Sequence, residues 1–129
     1  MTMLQPPGWP RPKGYSCGVA ASGTTVFVSG QIGWDEHGRF PALDIAGQVR
    51  QALRNVVAVL AEAGARPEHV TRLTWYVADK REYLAAQRAI GEAYRAVMGR
   101  HYPAMSVVEV SALLEDAAKV EIEATAVVA

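Results

Sequence analysis

The sequence predicts an α+β fold: one sheet with two helices on one of its faces, in the order β-β-α-β-α-β-β. Three observations carry this. A stretch with apolar residues at three- and four-residue spacing lies between a capping aspartate and a glycine, which is a helix with a marked start and stop. Several shorter stretches are rich in β-branched and aromatic residues and read as strands. Strands in runs, mixed with two helices, form a two-layer arrangement around one core. The length of 129 residues sets one domain, 1–129, large enough for a single core.

The elements follow in order. "MTMLQPPGWPRPKG", residues 1–14, holds four prolines and reads as an extended arm outside the core. "YSCGVAA" and "TTVFVSG" are short strands, and Ser22–Gly23 between them is a turn signal for a hairpin. "DEHG" at 35–38 is a second turn. Asp44 caps a helix whose Ile45, Val49, Leu53, Val56 and Leu60 share one stripe, and Gly64 with Pro67 ends it. "VTRLTWYV", 70–77, is a strand. Asp79 begins a second helix with Tyr83, Gln87, Ile90 and Tyr94 on one face, and Gly99 stops it. "MSVVEVSAL" and "KVEIEATAVV" are the last strands, joined by "LEDAA".

Composition narrows function by exclusion. Lys plus Arg is 13 and Asp plus Glu is 13, so no net field favours nucleic acid or an anionic membrane as partner. The single cysteine, Cys17, forbids an intramolecular disulfide and suits a reducing compartment. No apolar run approaches the roughly 20 residues of a bilayer span, and the N-terminus has no secretory h-region. A cytoplasmic protein is expected. His37, His69 and His101 show no metal-ligand spacing, so no metal is expected. No acyl-transfer or nucleotide-binding motif is present. Cys17 itself is expected to be a small buried hydrophobe rather than a nucleophile.

Few residues stand out chemically. Glu121 and Glu123 alternate with Val120, Ile122 and Ala124, which puts both carboxylates on one side of a strand; from the residues alone a solvated sheet face is the simpler reading. Gln87 lies on a helix stripe expected to be buried, where an amide must cap a backbone group or face a cavity. Gly30 and Gly33 end a strand and permit close approach of a ligand or another backbone. Met105 stands at the mouth of the fourth strand, just after Pro103.

"VFVSGQI", "QVRQALRNVVAVLAEAGA", "YPAMSVVEV" and "VEIEATAVV" occur in the order and at the intervals found in the RidA (YjgF-type) enamine/imine deaminases. From Tyr15 to Val128 the chain resembles that family. The resemblance implies a chorismate-mutase-like fold and a homotrimer: three sheets form a central barrel, helices lie outside, and three clefts sit between subunits. It implies hydrolysis of 2-aminoacrylate-derived enamines or imines to 2-oxoacids and ammonia without a cofactor, sparing pyridoxal-phosphate enzymes from damage. By position, Tyr15 matches the pocket tyrosine and Gly30 the glycine whose backbone lines the cleft. Glu121 matches the glutamate that positions the hydrolytic water. Gln87 stands where asparagine is frequent, and Val107 where cysteine is common and the contact is mainly through the backbone.

Met105 is the departure. The family's deaminases carry arginine here, which grips the substrate carboxylate by a two-pronged charge-assisted bond. Methionine has neither donor nor charge. The resemblance therefore implies a hydrolase for an imine, enamine or related small metabolite other than the usual 2-iminopropanoate, with Met105, Trp34 and Trp75 as an apolar wall. For both tryptophans plain packing or a subunit interface is the simpler expectation. The alternative is a non-catalytic trimer holding a metabolite. The ribonuclease activity sometimes attached to the family finds least support, because the chain has no basic stripe and no histidine pair for acid–base cleavage.

Overall fold

The computed structural model describes residues 1–129. Its elements are β1 (Thr2–Leu4), β2 (Gly18–Ala20), β3 (Thr24–Ile32), α1 (Ile45–Glu62), β4 (Val70–Val77), α2 (Lys80–Ala85), α3 (Gln87–Met98), β5 (Ala104–Glu109) and β6 (Val120–Val128). A 3-10 turn, Pro67–His69, leads into β4. The four-stranded sheet has the order β3-β6-β4-β5. β6 pairs antiparallel with both neighbours, and β4 pairs parallel with β5. A parallel pair cannot be joined by a tight turn; α2 and α3 supply the crossover.

The helix stripe read from the sequence is the core. Val49, Leu53, Val56 and Leu60 of α1 are fully buried against Val120, Ile122, Ala124 and Ala126 of β6. Each such side chain contributes about 1.5–3 kcal/mol by leaving water. The Asp44 carboxylate accepts the Gly47 N–H at 3.1 Å, as an N-cap should. Gly64 and Gly99 follow the two long helices with φ of 69° and 68°, left-handed values that glycine takes without strain.

Four expectations change. β2 and β3 form no hairpin: β2 pairs with β1, and β3 pairs with β6. The arm therefore begins with a strand, exposed throughout, that the prolines after it concealed. The second helix is broken at Ala86 (φ −109°, ψ 18°) into α2 and α3. Cys17 is exposed, because only Gly18–Ala20 is strand there and the arm leaves the preceding turn uncovered; its Sγ donates to Gln5 Oε1 at 3.1 Å.

One face of the sheet carries the helices. The other presents Phe27, 78% exposed, with Glu121, Glu123, Tyr76 and Val108 in the same alternation.

Candidate active site

A cavity of about 520 Å³ opens on the helix side of the sheet, between α2–α3 and the edge strand β5. Met105 and Val107 enter it from β5, where they pair with Leu73 and Trp75 of β4 and so share the core-facing side. Tyr83, Gln87, Ile90 and Tyr94 enter from the helices. The face read from the sequence is thus real, but Gln87 is exposed at the start of α3 rather than buried, since the break at Ala86 places it at a helix N-terminus.

Tyr15 closes one side of the cavity and is 45% exposed. Its position is set by its neighbour: Ser16 N–H donates to Pro103 O at 3.0 Å, and Ser16 Oγ donates to Tyr102 O at 2.5 Å. These two bonds dock the arm against the start of β5. Four matched residues, Tyr15, Gln87, Met105 and Val107, therefore line one space.

Aromatic rings back that space: Trp75, expected beside Met105 in the apolar wall, is joined there by three tyrosines that the sequence did not assign to it. Tyr83 meets Trp75 edge-on at 6.4 Å, Trp75 stacks on Tyr94 at 6.3 Å, and Tyr94 stacks on Tyr102 at 5.5 Å. All four line the cavity. The signal was present as tyrosines at positions 83 and 94 on one helix face, but the strand and loop rings that join them are distant in sequence. Burial pushes the Tyr94 phenol pKa up, and its hydroxyl donates to His101 O at 2.5 Å, so Tyr94 is a neutral structural group. Trp75 is 3% exposed and its Nε1–H has no acceptor within the protein. Trp34 is not part of the wall; it packs against Phe40.

Gly30 and Glu121 are elsewhere. Glu121 is half-buried on the open face of the sheet, opposite the cavity. A Cβ on Gly30 would collide with its Oε2, so the glycine is what lets the carboxylate lie against β3. A register shift between Val28 and Gln31 produces this approach. Next to Glu121, Tyr76 donates to Glu123 Oε1 at 2.6 Å. That hydrogen bond, with burial and the two glutamate charges, raises the Tyr76 pKa.

The family model described as endoribonuclease L-PSP matches residues 10–128. A 2-iminobutanoate/2-iminopropanoate deaminase of Salmonella typhimurium is 38% identical over 105 residues, 81% of this chain and 80% of the relative. A RutC family protein of Pyrococcus abyssi is 35% identical over 91% of this chain and 89% of its own length. Among solved structures, a Rid family protein from Yersinia pestis has a TM-score of 0.86 at 32% identity, with 98% of each chain covered. Escherichia coli TdcF with bound serine has a TM-score of 0.71 at 34% identity over all of both chains. A family model spanning nearly the whole length, and relatives above a third identical over most of theirs, show that this chain belongs to the RidA family.

Proposed function

We propose that the protein hydrolyses an imine or enamine of a small metabolite in clefts shared between copies of itself, as a homotrimer. One observation supports this above the rest: the matched residues fall into two halves on opposite faces of one sheet. Tyr15, Gln87, Met105 and Val107 line the cavity, while Gly30 and Glu121 touch each other behind it. Within one chain the carboxylate cannot serve the cavity; a neighbouring copy presenting its open face would bring the halves together. Relatives named as deaminases favour hydrolysis over binding alone. No histidine lines the cavity, and His101 Nε2 is held at 2.7 Å from Val70 O, which leaves ribonuclease chemistry without its acid–base pair.

In this reading Glu121 accepts a proton from water as the water oxygen bonds to the imine carbon. The electron pair of the C=N bond moves to nitrogen, which is protonated. That proton comes back from Glu121; the carboxylate then takes the adduct's hydroxyl proton and passes it to the amine, so that collapse breaks the C–N bond and releases ammonia and the carbonyl product. Tyr15, the Gly30 backbone and the Gln87 amide hold the substrate. The chemistry needs no cofactor or metal. Met105 removes the charge that a small imino acid needs at β5. A hydrogen bond to a charged group is worth about 1.5–3 kcal/mol net, so binding of 2-iminopropanoate falls by roughly tenfold to over a hundredfold.

Imines generated in situ by an amino-acid oxidase, run also as its own control, test the reading. Glu121→Ala should keep the fold by circular dichroism and lose turnover of whichever imine the wild type accepts. Full activity in that variant moves the role to another carboxylate and overturns the assignment.

A further inference from the structure

The cavity holds two cations and no acid. Lys13 reaches it from the arm and Arg95 from α3, and no Asp or Glu lines it, although the chain as a whole is neutral. Neither cation has an ion-pair partner, as is true of most lysines and arginines of the chain. Arg95 lies one helical turn after Gly91. A Cβ at Gly91 would sit 3.3 Å from Arg95 Nη1, so the guanidinium folds back over that turn, the direction long helical side chains favour.

The apolar side is equally specific. Trp75, Tyr94, Tyr102 and Tyr83 form a continuous ring ladder, and Met105 sits against the same core. Thioether sulfur packs well on aromatic edges. At about 520 Å³ the space is in the range of drug-sized ligands, and a three-carbon imino acid would leave most of it empty.

We propose that the substrate is a 2-imino acid with an aromatic side chain, its carboxylate held by Arg95 from the helix side instead of from β5, with Lys13 adding charge at the mouth. The side chain stacks in the space bounded by the ring ladder and by Met105 and Val107. The arginine anchor has moved from strand to helix, which turns the ligand and frees the β5 wall for apolar contact. This rests on the hydrolase reading for its chemistry, but the binding geometry can be tested apart from it.

The test uses the full-length protein with two probes, phenylpyruvate and its methyl ester, by titration calorimetry, alongside turnover of the imines of phenylalanine and alanine. The wild type should bind the acid about tenfold or more tighter than the ester, and pyruvate more weakly than either. Arg95→Gln should bring the acid-to-ester ratio close to one, and Arg95→Lys should retain part of it; Arg95 is exposed, so neither variant threatens the fold. Turnover should favour the phenylalanine imine by about tenfold. An unchanged ratio in Arg95→Gln, or pyruvate binding as tightly as phenylpyruvate, overturns this proposal even if imines are hydrolysed. Failure to hydrolyse any imine overturns the hydrolase reading instead, and the calorimetric ratio still decides the anchor.

Discussion

At the scale of single residues, Met105 and Gln48 make opposite points. Met105 packs without polar chemistry: it is half-buried, on the core side of β5, against the ring ladder. Met105→Arg should raise kcat/KM for 2-iminopropanoate, though without matching an arginine-bearing relative, since a guanidinium among these apolar walls lacks partners. Wild-type turnover of 2-iminopropanoate equal to such a relative's would show that position 105 does not select the substrate. Gln48 is polar chemistry hidden in packing. It is fully buried on the stripe of α1, donates to Ala117 O at 2.9 Å and accepts Lys119 N–H at 2.7 Å. It clips the helix to the loop that starts β6. Gln48→Ala orphans a buried N–H and leaves a void, so stability should drop by about 3 kcal/mol in a urea titration.

At the scale of elements, the strands of the open face carry a titratable pair. Tyr76 of β4 donates to Glu123 of β6 across the ladder, and this raises the phenol's pKa. A folded-state value above the unfolded one means the stability from this contact is present below about pH 10 and is lost as pH rises through the folded value. NMR titration of the ring should place Tyr76 above an ordinary tyrosine. Glu123→Gln should bring it back down; no movement would mean the bond is not formed in solution. The helices divide differently. α1 is anchored by its cap and its stripe, whereas α2 and α3 are separated by one residue, Ala86, and it is this break that puts Gln87 at the cavity.

At the scale of the whole molecule, one chain leaves its sheet half covered. The helix face is packed; the opposite face exposes Phe27 beside the Glu121–Gly30 contact. In the proposed trimer this open face, with Phe27 on it, is the one a neighbouring copy would cover. Sedimentation velocity at micromolar concentration should give a species of three chains, and Phe27→Asp should shift it toward monomer with loss of imine hydrolysis. A stable wild-type monomer would overturn both the trimer and the shared cleft.

The sequence alone determined what periodicity and local chemistry encode. The α1 stripe with its Asp44 cap and Gly64 stop, the alternation of β6, and the common face of Tyr83, Gln87, Ile90 and Tyr94 are all short-range patterns. Each is readable because side-chain direction repeats with the backbone. The matched family segments set the family for the same reason: they are local strings. What only the tertiary structure decided is which of these patterns meet. Strand pairing is non-local, so β2 joining β1 and β3 joining β6 left no trace in the Ser22–Gly23 turn. The ring ladder joins residues from two helices, a strand and a loop. Gly30 and Glu121 meet across a bulge yet face away from the cavity, because a strand sends alternate side chains to opposite faces and the cavity lies on only one of them.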